Sequence, residues 1–238
     1  METGHNKNVT NFETLIITCT GFGADYNPSN PSIILAALKT QHTAAKTVIK
    51  DVKTTEAPFD NVEGQRQTIF KPLKPTATKV LNALKSSGAP ATVIADAETI
   101  CLKIHGKRAD NTPTTESEDQ KGKGRISVSQ QSFDMQIDHF EKLIERASIE
   151  PKYKPNETPL KIVTLTNYKT QLQTIITTYK TVSIPYKNAL LKRDTVLYAP
   201  ETGLVDTAQT VKNYVKSVFG ASSPQYKQVS KLLFKKIE

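Results

Sequence analysis

Two stretches of this sequence resemble each other over most of their length. Phe12-Glu-Thr-Leu-Ile16 returns as Phe140-Glu-Lys-Leu-Ile144, which is 128 positions later. Identical residues then recur at an offset of 127 between residues 38 and 68, and at an offset of 131 between residues 73 and 86. Chance similarity does not keep a nearly fixed offset over so many positions. The sequence therefore predicts an internal duplication, so the fold has to be built from two related halves.

The two copies, which we call repeat 1 and repeat 2, are predicted at residues 1–105 and 128–238. Residues 106–127 separate them and contain no periodic apolar residue, which is typical of a polar linker. Two bundles on a tether and one intertwined bundle are both compatible with this organisation. The sequence leaves these two alternatives open.

Each repeat has the apolar periodicity of α-helices. In repeat 2, apolar residues recur at steps of three and four from Leu165 to Tyr186, and repeat 1 has a weaker version from Leu38 to Ile69. This spacing predicts a long helix packed lengthwise on others. The predicted fold class is all-α, an internal duplication of two helical-bundle repeats with about four helices each. The helices are expected near 9–21, 31–70, 74–87 and 91–105, and near 130–148, 159–197, 204–219 and 224–236.

A proline lies inside the long second helix of each repeat. Pro58 and Pro185 are equivalent, and an internal proline removes one backbone donor and clashes with the preceding turn. We therefore expect a kink or break at both positions. The aromatic residue after each proline is predicted to be buried, and the arginine two turns later to bind a carboxylate or helix-end carbonyls: Phe59 and Tyr186, and Arg66 and Arg193.

Two segments resemble an uncharacterised family of bacterial tandem-repeat helical proteins. They are Met-Glu-Thr-Gly-His-Asn-Lys-Asn at residues 1–8 and Lys216-Ser-Val-Phe-Gly-Ala-Ser-Ser-Pro-Gln-Tyr-Lys-Gln-Val229. The resemblance covers most of the chain. It implies a duplicated helical fold and brings no activity with it.

No motif in the sequence points to catalysis or to a metal centre. The four histidines are scattered without carboxylates at coordinating intervals, and each is expected at the surface. Cys19 and Cys101 have neither metal-ligand nor redox spacing, so we interpret them as small packing residues. The protein is therefore predicted to be non-enzymatic, with no cofactor and no metal.

The apolar runs are too short for a membrane span. The longest, Ile33–Leu38, falls far short of the ~20 residues needed to cross a bilayer, and the polar first residues do not form a secretory signal. We therefore predict a cytoplasmic protein with no membrane partner.

The formal net charge is +9, and most of the excess lies in repeat 2. Arginine is scarce and no nucleic-acid recognition motif is present, so a solvated lysine face is the competing interpretation. The alternative function is nevertheless a basic nucleic-acid-associated protein. The predicted phosphate contacts are Lys212, Lys216, Lys227, Lys231 and Lys235.

Threonine occupies one face of each long helix, opposite the apolar face. Soluble helices usually carry Lys, Glu or Gln at such positions, because the β-branched threonine loses side-chain freedom in a helix. An uncharged face of this kind suits packing against another helix or subunit. The predicted association face is Thr43, Thr47, Thr54, Thr170, Thr174, Thr177 and Thr181. The main functional prediction is a structural or scaffolding protein that contacts itself, as a homo-oligomer or filament, or another protein.

Overall fold

The computed structural model describes residues 2–107 and 131–237, and all regular secondary structure within these ranges is helical. The all-α prediction is thus confirmed. The part of the predicted polar linker that follows residue 107 lies outside the described residues. The helices are α1 (Glu2–Gly21), α2 (Leu35–Phe70), α3 (Leu73–Ser86), α4 (Ala91–His105), α5 (Phe133–Ser148), α6 (Ile162–Tyr198), α7 (Leu204–Phe219) and α8 (Pro224–Ser230).

Local signals in the sequence set several of the helix ends. The Ser223 hydroxyl accepts a hydrogen bond from the Tyr226 amide at the start of α8, so Ser223 is the N-cap of a helix whose first residue is a proline. Gly88 and Gly220, which follow α3 and α7, have positive φ angles of 74° and 87°. Glycine adopts this conformation without a Cβ clash, so it terminates a helix readily.

The two long helices continue through their prolines. Pro58 lies within α2 and Pro185 within α6, so neither helix breaks there, and the expected kink stays a prediction. Phe59 and Tyr186 are only half-buried, so the prediction that both are buried was wrong. They stack on each other instead, with ring centroids 4.9 Å apart and an interplanar angle of 24°.

Both arginines that follow the prolines bind carboxylates, as predicted. Arg66 donates two hydrogen bonds to Glu63, at 2.6 and 2.7 Å. Arg193 pairs with Asp194, with 2.7 Å between Nη2 and Oδ1. In each case the partner lies in the same helix and the same repeat.

The chain forms two compact units whose boundaries differ from those of the repeats. Unit 1 contains Met1–Phe59 and Val182–Glu238, and unit 2 contains Asp60–Thr181. Each boundary lies inside a long helix, within about one turn of its proline. Helices α2 and α6 therefore contribute residues to both units, and each unit combines part of repeat 1 with part of repeat 2.

Unit 1 has a core that the beginning and the end of the sequence build together. Phe12 and Leu15 of α1 are fully buried, as are Leu204 and Val211 of α7. The first part of α2 and the short helix α8 complete this core. Its buried residues are Val9, Phe12, Leu15, Ile16, Cys19, Tyr26, Ile33, Leu38, Ala45, Ile49, Leu197, Leu204, Val205, Ala208, Val211, Val215 and Val229.

Unit 2 is built from α3, α4 and α5 with the adjoining parts of the two long helices. Leu73 of α3 and Phe140 of α5 are fully buried. Phe70 meets Phe133 edge-to-face, with ring centroids 4.6 Å apart. The Tyr168 hydroxyl of α6 donates to the Ile69 carbonyl of α2 at 2.8 Å. Apolar packing and long-range hydrogen bonds thus join residues of both repeats within this unit.

The chain after α8 is not helical, although the sequence predicted a helix to residue 236. Asn8 donates to the Lys235 carbonyl at 2.7 Å and accepts from the Lys235 amide at 3.1 Å. Asn11 donates to the Leu233 carbonyl at 2.7 Å. Because side chains of α1 bind these backbone groups, segment 231–237 follows α1 in a non-helical path. No helix in the described ranges is both long and apolar enough to span a bilayer.

Candidate functional site

The lysines predicted as phosphate contacts lie in unit 1, on α7, α8 and segment 231–237. Lys227 lies on α8, whereas Lys231 and Lys235 follow the end of that helix. The predicted stripe of these three lysines along one helical face was therefore wrong. The physical reason is the binding of Asn8 and Asn11 to the backbone of segment 231–237, which prevents α8 from continuing.

Two of the predicted lysines contact the protein itself. Lys212 is half-buried and donates to the Leu232 carbonyl, and its Nζ lies 5.2 Å from the centroid of the Phe234 ring. Burial lowers the pKa of Lys212. Lys216 is exposed, with its Nζ 5.9 Å from the Tyr226 ring centroid. The cations that face solvent are Lys216, Lys227, Lys231 and Lys235.

The sequence around these lysines contains little negative charge. Residues 207–237 include no aspartate or glutamate. Lys236 reaches Asp206, with 3.0 Å between Nζ and Oδ2, and this hydrogen bond holds the pKa of Asp206 below its usual range. The end of the described chain is therefore a basic segment with a carboxylate only at its border.

The seven threonines predicted as an association face are all exposed, on α2 in unit 1 and on α6 in unit 2. Each hydroxyl donates to the carbonyl four residues earlier in its own helix, as Thr47 does to Thr43 at 3.0 Å and Thr174 to Thr170 at 2.9 Å. A hydroxyl has one proton. These side chains therefore offer solvent methyl groups and acceptor oxygens, but no further hydroxyl proton.

The uncharged surface of α6 extends beyond its threonines. Steps of three and four lead from Thr181 to Ile184 and Leu191, which are 59% and 66% exposed, and in the other direction to Val163, which is 65% exposed. The residues at this spacing are all exposed and uncharged, and we call them the α6 face. They are Val163, Asn167, Thr170, Thr174, Thr177 and Thr181 in unit 2, and Ile184, Asn188, Leu191 and Thr195 in unit 1.

The equivalent positions of α2 form a similar surface, the α2 face. All of these residues are exposed, and Lys50 is the one charged residue among them. The sequence analysis found the threonines but missed the small, amide and aliphatic residues between them. Continuing the spacing of three and four would have identified them. The α2 face consists of Ala36, Thr40, Thr43, Thr47, Lys50, Thr54 and Ala57 in unit 1, and of Asn61, Gly64 and Thr68 in unit 2.

Lysines border both faces. Exposed Lys39, Lys46 and Lys53 lie one position before α2-face residues, and exposed Lys180 and Lys187 do the same on α6. In unit 1, part of the α2 face also lines a groove of about 440 Å³, with Lys192 and Val196 of α6 on the other side. Apart from Lys50, each face is thus an uncharged stripe with lysines along part of its border, whereas exposed Asp60 borders the α2 face near its end.

A separate pocket of about 390 Å³ in unit 2 brings together Thr78, Cys101 and His105. The Thr78 hydroxyl donates to the Lys74 carbonyl at 3.1 Å and lies 2.9 Å from His105 Nε2. Which of the two atoms donates in the second contact depends on the tautomer of His105. Burial raises the pKa of the Cys101 thiol, so the thiolate is disfavoured and this cysteine is not an activated nucleophile.

The expectation that all histidines lie at the surface was wrong. His5 and His139 are buried, and His5 Nδ1 lies 2.6 Å from the Tyr198 hydroxyl. No residue in the described ranges forms a hydrogen bond with His139 Nε2. Burial lowers the pKa of His139, and it also lowers the pKa of His42 and His105. The neutral imidazole is therefore the form that the fold favours.

Acidification from pH 7 to pH 5 is expected to lower the free energy of unfolding. The unfolded histidines, with a pKa of about 6.5, bind protons before the folded ones, so stability falls as the pH drops below the unfolded pKa. Urea midpoints at the two pH values measure this loss. The variant His139→Gln should show a weaker pH dependence than the parent chain. A midpoint that stays constant or rises on acidification would contradict the prediction.

The described ranges contain no group of three or more His, Cys, Asp or Glu residues arranged to hold a metal ion. Comparison with protein-family models, curated proteins and solved structures gives no match to this chain. The functional argument therefore rests on the chemistry of its surfaces.

Proposed function

We propose that the protein is a structural or scaffolding protein that acts by self-association, with copies meeting along the α2 and α6 faces. The observation that carries this proposal is a nearly uncharged, exposed face with heptad spacing on each long helix. Steps of three and four are the spacing at which the side chains of two helices interdigitate. The non-enzymatic character, cytoplasmic location and bacterial repeat family remain predictions.

The threonine chemistry favours burial of these faces against another helix. Burying a hydroxyl without a hydrogen bond is destabilising, but these hydroxyls already donate within their own helices. Their methyl groups, together with Ile184, Leu191 and Val163, would leave water, which stabilises an interface by about 25 cal/mol per Å² of apolar area. Small side chains also permit close approach of two helices. Association would thus gain apolar contact without leaving a threonine hydroxyl proton unpaired.

The lysine borders predict an unusual salt dependence. Two faces that meet bring positive borders such as Lys46 and Lys187 into the same interface. Like charges repel, and added salt screens this repulsion over about 8–10 Å at physiological ionic strength. Self-association should therefore strengthen as the salt concentration rises.

Light scattering against protein and salt concentration tests the proposal. The parent chain is expected to exceed its monomer mass of 26.3 kDa at high concentration. Ile184→Glu and Leu191→Glu should each raise the concentration needed for association by about tenfold, because a buried carboxylate requires ~1.4 kcal/mol or more. Ile17→Glu is the matched control, since Ile17 is 66% exposed on α1. A strictly monomeric parent chain at high concentration and high salt would rule out this function.

We also infer that the two repeats arose by duplication, and the equivalent positions support this. Phe12 and Phe140 are both fully buried. The Tyr26 hydroxyl donates to the Ile33 carbonyl at 2.6 Å, and the equivalent Tyr153 hydroxyl donates to Leu160 at 2.8 Å. The same residue pairs thus make the same contacts in both repeats.

A second candidate is nucleic-acid binding by the basic segment at residues 207–237. It is favoured by the exposed lysines there and by the lack of acidic residues within the segment. Binding through phosphates weakens steeply with salt, which is the opposite of the dependence expected for self-association. The test is titration of labelled single-stranded and duplex DNA and RNA at low salt. The absence of binding to all of them would exclude this candidate.

A further inference from the structure

The two units contain opposite halves of the two repeats, which matters if the duplication proposed above is correct. Unit 1 joins α1 and the first part of α2, from repeat 1, to the last part of α6, α7 and α8, from repeat 2. Unit 2 joins the last part of α2, α3 and α4, from repeat 1, to α5 and the first part of α6, from repeat 2. Neither repeat contains a complete unit.

The same pair of elements meets in both units. In unit 1, α1 of repeat 1 packs on α7 of repeat 2, and in unit 2 the equivalent helices α5 and α3 pack together with the repeats reversed. Leu204 of α7 is fully buried in one core, and its equivalent Leu73 of α3 is fully buried in the other. The exchange of halves between repeats is therefore reciprocal.

Hydrogen bonds between the repeats are reciprocal as well. Gln41 of repeat 1 donates to the Thr202 carbonyl of repeat 2 at 2.9 Å, in unit 1. Its equivalent in repeat 2, Tyr168, donates to the Ile69 carbonyl of repeat 1 at 2.8 Å, in unit 2. In both cases, a residue near the start of one long helix binds the chain near the end of the other.

One contact joins a residue to its own equivalent. Phe59 and Tyr186 occupy the same position in the two repeats and stack with ring centroids 4.9 Å apart. In an isologous dimer, a residue meets its own counterpart only at the two-fold axis. The interface between the repeats thus has the character of an interface between two identical subunits.

We propose that repeat 1 of one chain can pair with repeat 2 of a second copy of this chain. Each repeat contributes only half of each core, and the complementary repeat of another copy fits that half as the repeat of the same chain does. Repeat 1 of one chain would supply α1 and the first part of α2 to a unit completed by repeat 2 of another. The buried residues of unit 1 come from both repeats, so the complementary surfaces are already specified. Exchange between chains needs no contact that the single chain does not make.

The connection between the repeats permits the repeats to pair within one chain and also between two chains. The Gln131 side chain donates to the Lys103 carbonyl at 2.9 Å, so the two described ends of the linker are close together. Residues 108–130 span at most about 80 Å when fully extended. A connection of this length is far longer than the gap it closes in one chain. It therefore also allows repeat 2 to reach another molecule.

The test uses the full chain with a protease recognition sequence inserted between Asp119 and Gln120. The folded protein is cut, and an isotopically labelled cut sample is mixed with an unlabelled one, unfolded in guanidinium and refolded. Native mass spectrometry is expected to show repeats that remain paired after cutting. After refolding, labelled–unlabelled pairs should make up about half of the repeat 1–repeat 2 pairs, as random re-pairing requires. The uncut chain refolded at high concentration should contain a species of twice the monomer mass, and Ile184→Glu, which weakens face-mediated association, should leave the amount of this species unchanged.

Alanine at both Phe59 and Tyr186 is expected to weaken the pairing of cut repeats by about tenfold, and Ile17→Ala serves as the control. Cut repeats that separate into monomers, each with its own cooperative unfolding transition, would overturn the proposal. Cut repeats that fail to pair under conditions in which the uncut chain refolds would overturn it too. Because pairing within the cores does not use the α6 face, Ile184→Glu should leave it unchanged. The failure of this proposal is therefore distinguishable from that of face-mediated association.

Discussion

Replacing Phe12 by alanine is expected to lower the free energy of unfolding by about 3–5 kcal/mol. The Phe12 side chain is fully buried in unit 1 and meets Phe234 edge-to-face, with ring centroids 6.5 Å apart. Its removal loses apolar burial and leaves a cavity that α1 and α7 can only partly close. Chemical denaturation followed by circular dichroism measures the change.

The location of this loss of stability along the chain is more informative than its magnitude. Because Phe12 belongs to the same core as α7 and α8, hydrogen exchange should accelerate in these helices, although they belong to repeat 2. Helices α3 and α4, which belong to the same repeat as Phe12, should change much less. Phe140→Ala is the matched variant in unit 2 and should produce the reverse pattern. Loss of protection confined to repeat 1 in Phe12→Ala would contradict the assignment of the units.

Replacing Arg66 by alanine is expected to destabilise the protein by about 3 kcal/mol. The Arg66 guanidinium carbon lies 4.3 Å from the Phe133 ring centroid and 3.8 Å from that of Tyr179, while two hydrogen bonds bind Glu63. The side chain is only 12% exposed, so these contacts are largely protected from water. Arg66→Lys keeps the charge but loses the planar stacking on the two rings. We therefore expect it to lower the free energy of unfolding by less than Arg66→Ala does.

Arg146→Ala is the control for this measurement. Arg146 also bridges two helices through Asp96, but the two side chains are 39% and 55% exposed. Exposed ion pairs contribute only about 0–1 kcal/mol. Equal losses of stability for Arg146→Ala and Arg66→Ala would show that the aromatic contacts of Arg66 contribute little.

The helices were predictable because the signals that define them are local. The sequence prediction and the structure agree at both ends of the helix at 91–105 and of that at 204–219. Apolar spacing defines the buried side of each helix. Gly88 and Gly220 lie just after the ends of α3 and α7, and Ser223 lies just before the start of α8. These effects operate over one or two turns and need no knowledge of the tertiary fold.

The pairing of the halves was not predictable in the same way. Apolar spacing shows which side of α1 is buried but not whether α7 or α3 covers it, because these two helices carry nearly the same apolar pattern. The end of α8 was missed for a related reason. Asn8 and Asn11, more than two hundred residues earlier, bind the backbone that would have continued this helix.

The candidate surfaces were predictable only in part. The threonines were predicted because this residue is unusual on an exposed helix face. Ile184, Asn188 and Leu191 carry no such signal individually. Their exposure on the same face emerges only when the position of each residue around α6 is known. The burial of His5 and His139 depends on packing between helices, which no spacing of histidines in the sequence indicates.

The division into units has a consequence for the order in which a newly made chain can fold. Unit 2 is one continuous stretch that precedes α7 and α8, so all of it leaves the ribosome before these two helices do. At about 5–20 residues per second, α1 waits roughly 10–40 s for these partners. During that time, Phe12 and Leu15 have no core to enter. The nascent protein should therefore complete unit 2 first, and the apolar residues of α1 become buried only when α7 and α8 follow.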